Sequence, residues 1–349
     1  MSTSNLDAAD LAGVDYQGLI NEDVMQTIFE IDPVDLPYHD MASEAPKSKN
    51  QYRSWTQDEL EAPALANAVV DGADVTGNDT KTGRRVGNHH QESTKIVQVS
   101  DRARNVDTIG RSDELIYQLM QRQKELKKRM EATFLSNQAS VEDDGDTTAG
   151  MTAGCGAMFE TNIINGSTAG FANGIYPAPT PGAAAALTET MIRDGSEMAY
   201  NEGGNPTILM SIPKVIRGLS EFLFTAAARV ATVMTDANKS DVKQGRYGHQ
   251  GITAVGSVNV IITDFTTLEF RANRSQITYD NGGTQCANVY GFDPDYWAIG
   301  YLQKIETAPL AKTGLSEKRL MSVDYCNIAK NEKSSFVIMG IDPTLAVAA

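Results

Sequence analysis

The chain has 349 residues, of which 41% are apolar, 21% charged and 7% aromatic, a composition typical of folded soluble proteins. This composition excludes wholesale disorder, and the length suffices for about two domains with buried cores. The formal net charge of −15 argues against a general nucleic-acid binder, because such proteins need a surplus of Lys and Arg to displace counterions from phosphates. The first residues lack the features of a secretory signal, and no apolar run is long enough for a membrane span. We therefore expect folding in a cytoplasm and no membrane partner.

The beginning of the sequence is its most acidic part. Residues 1–46 contain ten Asp and Glu residues and no Lys or Arg, so they contribute ten of the fifteen net negative charges. A short amphipathic helix is predicted within this segment, before Pro33 and Pro37 end the helical spacing. Its apolar stripe consists of Leu19, Ile20, Val24, Met25, Ile28 and Phe29. That stripe needs a partner, which is either the body of its own chain or a neighbouring subunit.

Residues 51–108 are predicted to form a long hairpin. Two extended flanks enclose a polar stretch rich in glycine at residues 72–88. The second flank is indicated by a partial apolar alternation at Ile96, Val97 and Val99. The expected tip carries Lys81, Arg84 and Arg85 in an otherwise acidic protein. These side chains either face solvent or dock against an acidic surface of another copy, and the second alternative makes them candidate inter-subunit contacts.

The clearest single element is a long helix predicted at residues 112–138. Acidic residues occupy its first turn and basic residues its later half, as the helix dipole favours. The apolar stripe consists of Leu115, Leu119, Leu126, Met130 and Phe134, backed by Ile116 and Met120. At 1.5 Å per residue the helix would be roughly 40 Å long. We expect it to form a spine on which other parts of the protein lie.

The rest of the chain alternates between helices and strands. Residues 150–182 contain seven glycines and follow no clear period, which predicts a long irregular surface. The elements predicted after it are a helix at 183–200, a strand at Ile208–Met210, a helix at Lys214–Phe224, a hairpin around Asp264, and two strands, Met321–Ala329 and Ser335–Ile341, joined across residues 331–333.

No motif predicts an active site, a cofactor site or a metal site. Lys312–Thr313 resembles the end of a phosphate-binding loop, but the two glycines that such a loop needs are replaced by Glu306 and Ala311. The acids at 143–146 lack the ligand spacing of a calcium loop and predict a solvated turn, and the adjacent His89 and His90 would point to opposite faces of a strand. The three cysteines lack paired spacing and are predicted to be buried, inert thiols: Cys155, Cys286 and Cys326. The sequence thus predicts a protein that is not an enzyme and has no cofactor.

The order of these elements resembles the major capsid (major head) proteins of tailed bacteriophages, in the branch with the Hong Kong 97-type fold. The residues that carry the resemblance are spread over nearly the whole chain, and their order and spacing are more specific than any one of them. They include IDPVDLPYHDM at 31–41, Gly110, Glu114, Tyr117, Leu126, Glu131 and Leu135 along the long helix, EGGNPTILMSIPKVI at 202–216, FDPDYWAIGYL at 292–302 and LAKTGLSEKRLMSVDY at 310–325.

The resemblance implies an α+β fold with two extended arms and two compact domains. The implied parts are an N-terminal arm (1–50), an extended hairpin loop (51–108), a peripheral domain with the spine helix and a β-sheet (109–150), an α/β axial domain (151–312) and a return to the peripheral sheet (313–349). In this family the arm and the loop reach over adjacent subunits.

The implied function is self-assembly into the hexamers and pentamers of an icosahedral phage head that encloses double-stranded DNA. The implied partners are other copies of the chain, with scaffold, portal and decoration proteins as further candidates and only weak, non-specific contact with DNA. The implied location is the virion, assembled in the host cytoplasm. The alternatives are another virion structural protein, an enzyme whose carboxylates converge only in the folded chain, and the shell protein of a nanocompartment that encloses cargo.

Overall fold

The protein is described by a computed structural model that covers residues 34–222 and 260–345, except 62, 64, 66, 67, 73, 75, 76, 78, 79 and 107. The helix predicted at residues 19–29 lies outside these residues. The helices are α1 (Pro37–Met41), α2 (Asp101–Asn105), α3 (Glu114–Phe134), α4 (Cys155–Met158), α5 (Glu189–Asn201) and α6 (Pro213–Phe222). The strands are β1 (Ser43–Glu44), β2 (Tyr52–Gln57), β3 (Arg84–His89), β4 (Gln91–Ser100), β5 (Ile163–Ile164), β6 (Gly166–Ser167), β7 (Thr180–Pro181), β8 (Ile208–Ser211), β9 (Val260–Ile262), β10 (Thr267–Ala272), β11 (Tyr279–Asn281), β12 (Thr284–Phe292), β13 (Trp297–Pro309), β14 (Ser316–Ala329) and β15 (Phe336–Ile341).

A long, four-stranded sheet in the order β1-β13-β14-β4 forms one half of the fold. Strands β13 and β14 are an antiparallel pair, and β4 lies antiparallel to β14 from Ser100 opposite Ser316 to Gln91 opposite Tyr325. Alternate residues of β4, including Val97 and Val99, are buried against α3. The strand predicted through these two residues is thereby confirmed.

Helix α3 is the predicted spine. Asp113 caps it, because its carboxylate accepts a hydrogen bond from the backbone N–H of Leu115 at 2.8 Å. The 21 residues of the helix span about 32 Å, fewer than the 27 of the predicted range. Of the predicted stripe, four side chains are buried and Leu119 is half-buried, so the stripe is confirmed. Ile116 and Met120 do not support it, because they lie on the flank of the helix and are more than half exposed.

The second sheet is mixed, in the order β5-β15-β12-β8-β10-β9, with β11 paired to β12. Strand β8 is parallel to β10 and antiparallel to β12. The predicted hairpin around Asp264 is confirmed, because β9 and β10 pair with Ile261 opposite Leu268. The two predicted helices correspond to α5 and α6. Apolar residues of both helices pack on this sheet in one core cluster, which includes Ile192, Val215 and Leu219.

The prediction of an irregular surface at residues 150–182 is wrong for its first part. Residues 152–159 are all buried, next to the carboxyl end of the spine helix. Gly154 and Gly156 permit this close packing, because a Cβ on Gly154 would lie 2.2 Å from the carbonyl oxygen of Ser136 and one on Gly156 would lie 2.0 Å from Oδ1 of Asn137. Small residues in this segment thus serve packing, whereas in the sequence they resemble those of an exposed loop.

The two predicted C-terminal strands are present as β14 and β15, and they belong to different sheets. Strand β14 belongs to the four-stranded sheet, whereas β15 pairs with β12 and β5 in the mixed sheet. A short 3-10 turn at Glu332–Ser334 redirects the chain between the two sheets. Asn331 caps this turn by accepting the backbone N–H of Lys333 at 3.1 Å. The C-terminal segment therefore joins the two halves of the core.

Candidate assembly interface

A two-stranded hairpin projects a long loop from the body. Strands β2 and β3 pair from Tyr52 opposite His89 to Gln57 opposite Arg84, so residues 58–83 lie between the paired strands. The next strand, β4, belongs to the four-stranded sheet, and the ladder of the projecting hairpin therefore ends at His89.

Apolar side chains on this loop make almost no contact with their own chain. The exposed fractions are 95% for Leu60, 102% for Leu65, 78% for Val69 and 80% for Val70. Isolated apolar side chains are common on protein surfaces, but several of them on one projecting segment are typical of an interaction surface. The loop therefore provides an apolar segment that needs a partner.

The three candidate contact residues lie in different surroundings. Lys81 is exposed in the loop, whereas Arg84 and Arg85 lie in β3, at the base of the loop rather than at its tip. The Arg84 guanidinium donates to both carboxylate oxygens of Glu160, at 2.7 and 2.9 Å, and lies over the ring of Phe171. This bidentate bond raises the pKa of Arg84 further and fixes the hairpin to the body.

Arg85 has a different partner. Its Nε and Nη2 atoms donate to the hydroxyl of Ser54, at 3.0 and 2.8 Å, and within the described residues it contacts no carboxylate. Arg85 and Lys81 are thus the candidate residues whose charges remain available to another subunit, while Arg84 is already paired.

The beginning of the loop is also attached to the body. Lys333, in the turn between β14 and β15, donates to Glu59 at 2.8 Å and to Glu202 at 3.3 Å. The hydrogen bond and the charge of Lys333 lower the pKa of Glu59. The loop is therefore tied to the body near both of its ends, at Glu59 and Arg84.

A buried carboxylate connects the N-terminal helix to the spine. The Glu131 side chain accepts the backbone N–H groups of Tyr38 at 2.6 Å and His39 at 3.1 Å, and the amide of Asn273 at 2.6 Å. Burial raises the pKa of Glu131 to about 7, although all three hydrogen bonds act to lower it. The sequence reasoning assigned no role to this residue, and its one signal was an acid on the apolar face of the helix, three residues before Phe134.

The hydroxyl of Tyr38 extends this junction into the long sheet. It donates to Oδ1 of Asn327 in β14 at 2.6 Å, and its ring lies 5.3 Å from that of Phe134. The residue is fully buried. Pro37 and Tyr38 are therefore part of the core of the body, even though they follow an acidic segment that resembles a free arm.

The remaining sequence candidates behave as packing or surface residues. Cys155, Cys286 and Cys326 are free and buried, so the predicted burial is confirmed, and burial raises the pKa of Cys155 and Cys326 to about 12. The turn at 143–146 is exposed, as predicted, and Asp144 accepts the backbone N–H groups of the residues that follow it. In the described part of the chain, no three His, Cys, Asp or Glu side chains are arranged to hold a metal ion, and no helix is long and apolar enough to span a membrane.

Comparison with known proteins decides the family. The model of the SU10 major capsid protein family matches residues 4–342, which is nearly the whole chain. The chain belongs to the SU10 major capsid protein family. The major capsid protein of Escherichia phage Phieco32 is 32% identical over 112 residues, and this match spans about a third of each of the two capsid proteins.

Solved structures confirm the α+β, Hong Kong 97-type fold. The capsid protein of a native GTA particle has a TM-score of 0.59 at 12% identity, over 96% of this chain and 99% of that chain. The protein of Mycobacterium phage Che8 has a TM-score of 0.52 at 11% identity, over 93% and 98%. The SrpI encapsulin of Synechococcus elongatus PCC 7942 also has a TM-score of 0.52, at 10% identity, over 94% and 95%. The fold is thus common to phage capsids and an encapsulin, whereas the family match specifies a phage major capsid protein.

Proposed function

We propose that this capsid protein assembles into the hexamers and pentamers of an icosahedral phage head that encloses double-stranded DNA. The observation that carries the proposal is the projecting loop, because a chain of this family exposes Leu60, Leu65, Val69 and Val70 almost completely. Covering these side chains by a neighbouring subunit removes apolar surface from water, which favours association.

The net charge of the chain is compatible with a shell that encloses DNA. A protein with a net charge of −15 repels DNA at long range, so its contact with a packaged genome is weak and non-specific. Its location is the virion, after assembly in the host cytoplasm. Scaffold, portal and decoration proteins are the further partners of this proposal, and the role of the chain is structural, with no bond-making step.

The basic residues of the hairpin contribute in two ways. Lys81 and Arg85 contact acidic surface on the neighbouring subunit directly, because neither has a carboxylate hydrogen-bond partner among the described residues. Arg84 contributes by holding the hairpin against Glu160, so that the loop leaves the body in a fixed direction. The domain division into arm, hairpin loop, peripheral domain and axial domain remains part of the same proposal.

Sedimentation and negative-stain microscopy of the expressed protein test the proposal. We expect capsomers, tubes or closed shells, and a monomer of 37.7 kDa at all concentrations would overturn it. Shells isolated from infected cells should contain DNA, whereas a protein cargo would favour the nanocompartment alternative.

A variant with Lys81, Arg84 and Arg85 replaced by Gln tests the contact residues. We expect it to fold but to assemble poorly. The control replaces Arg102, Arg129 and Arg274 by Gln, because these exposed cations lie elsewhere and the loss of charge is equal. Equal assembly of the two variants would contradict the role of the hairpin cations.

A further inference from the structure

Charge is segregated along the projecting hairpin. The stretch 58–80 contains six acids and no Lys or Arg. Among the acids of this stretch that the structure describes, Glu59 alone has an ion-pair partner, which is Lys333. Asp71 and Asp74 lie in the middle of the loop, next to the exposed Val69 and Val70. The outer part of the loop is therefore acidic and apolar, the opposite of the basic tip that the sequence suggested.

The base of the hairpin carries the opposite charge. Arg53 in β2 donates to the carbonyl of Pro46 at 2.8 Å and to the hydroxyl of Ser48 at 3.1 Å. Lys330, just after β14, donates to the hydroxyl of Ser43 at 3.2 Å and the carbonyl of Asp295 at 3.0 Å. Arg85, as described above, donates to Ser54. In the described part of the chain, all three cations are held by neutral oxygens and none contacts a carboxylate.

A cavity of about 230 Å³ is lined by Ser54 and by two of these cations, Arg53 and Lys330. The rest of its lining is largely apolar, with Trp55 and Ile328 as the largest such side chains, and it includes one carboxylate, Glu44, which pairs with Lys304 at 2.6 Å. The indole N–H of Trp55 is buried and has no hydrogen-bond partner among the described residues. A cavity of roughly 150 Å³ already holds a benzene molecule, so this one has room for an aliphatic side chain.

We infer that the described acidic and apolar residues in the middle of the loop, 68–72 and Asp74, dock on this cavity of a second copy, where the cations Arg53 and Lys330 outnumber the single carboxylate. Val69 or Val70 enters the apolar part of the cavity, and the carboxylates of Asp71 and Asp74 pair with Arg53 and Lys330. The segment that fills the cavity belongs to a second copy, because the side chains of Val69 and Val70 make little contact with their own chain. The inference rests on the proposed function and identifies the two surfaces that meet.

Val70 lies thirteen positions after Gln57, where the paired strand ends, so an extended chain would carry it up to about 43 Å from that point. Because the loop and the cavity are different surfaces, the contact is heterologous. Repeated around an axis, such contacts close into a ring, which is the arrangement that a capsomer requires.

A charge-swap experiment tests the pairing. Reversing the charge at the base of the hairpin with Arg53→Glu and Lys330→Glu should reduce assembly. Reversing the charge of the loop with Asp71→Lys and Asp74→Lys should also reduce it. Mixing or combining the two pairs of changes should restore assembly at least partly, because opposite charges then face each other again. Two defects that simply add, in variants that circular dichroism shows to be folded, would overturn the inference.

A cysteine pair tests the same contact without a change of charge. Val70→Cys and Ser54→Cys in one chain should give a ladder of disulfide-linked oligomers after mild oxidation of assembled particles. The control pairs Val70→Cys with Thr94→Cys, an exposed position in β4 of the four-stranded sheet. If Val70→Cys in assembled particles forms a disulfide with position 54 no more often than with position 94, the inferred docking site is wrong. This outcome would leave the proposed function unaffected. Failure of the wild type to assemble would instead overturn the proposed function.

Discussion

The backbone N–H of Tyr38 donates to a carboxylate oxygen of Glu131, 93 residues further along the chain, at 2.6 Å. The same oxygen accepts the amide of Asn273 at 2.6 Å, and the other oxygen accepts the N–H of His39 at 3.1 Å. One buried side chain thus joins the N-terminal helix, the spine and the loop after β10. This junction therefore fixes Tyr38 and His39 on the spine helix.

The stability of this junction should depend on pH. Burial raises the pKa of Glu131 to about 7, against about 4.3 in an unfolded chain. Between these values the folded state keeps the proton and the unfolded state does not, so the free energy of unfolding falls as pH rises through this window, by up to about 3 kcal/mol. Urea unfolding at pH 5 and pH 8 should show a clearly larger loss in the wild type than in Glu131→Gln, which keeps the contribution of Glu332, whose pKa burial also raises.

Asp40 also raises the pKa of Glu131 and therefore supplies a control. The pKa of the neighbouring His39 is lowered by burial and by Lys127. Asp40→Asn should therefore reduce the loss between pH 5 and pH 8 only slightly. Identical pH profiles for the wild type and Glu131→Gln would show that Glu131 is not the group responsible.

Periodic and local patterns were sufficient to predict the spine helix, strand β4 and the β9–β10 hairpin, because each depends on residues close together in sequence. The role of Glu131 could not be predicted, since its partners lie 93 and 142 residues away. The buried segment around Gly154 was mistaken for a surface loop, because small residues suit both a flexible loop and a close packing contact. The pairing of Arg84 with Glu160 could not be predicted either, because nothing in the sequence shows that Glu160 lies opposite it.

The packing of the spine can be tested by truncating one buried side chain. Phe134 is fully buried, and its ring lies 5.3 Å from those of both Tyr38 and Tyr325. Phe134→Ala should lower the free energy of unfolding by about 3–5 kcal/mol, because it leaves a cavity where three elements meet. Met120→Ala, on the exposed flank of the same helix, should change it by less than about 0.5 kcal/mol. Equal effects in chemical denaturation would contradict the assignment of the buried face.

The close approach at Gly154 predicts a steric effect. Its φ of −75° is accessible to any residue, so Ala at this position would be unfavourable only because its Cβ would lie 2.2 Å from the carbonyl oxygen of Ser136. Gly154→Ala should lower the free energy of unfolding by about 1–3 kcal/mol, the usual effect of overpacking. Gly314→Ala is the matched control, because no atom lies within 4 Å of its Cβ position. Thermal unfolding should separate the two variants, and two unchanged melting temperatures would show that residues 152–159 do not pack as described.

The thiols should be unreactive in the native protein. Cys155 and Cys326 are fully buried, and burial raises the pKa of both thiols to about 12, so at pH 8 almost none of either is the reactive thiolate. Cys286 is also buried and its pKa is raised for the same reason. A thiol reagent such as Ellman's reagent should therefore label the wild type only after denaturation, when all three cysteines react. Val70→Cys adds a thiol at a position that is 80% exposed, and this variant should gain one rapidly labelled group per unassembled subunit. Rapid labelling of the native wild type would place at least one of the three cysteines on the surface and contradict the packing around them.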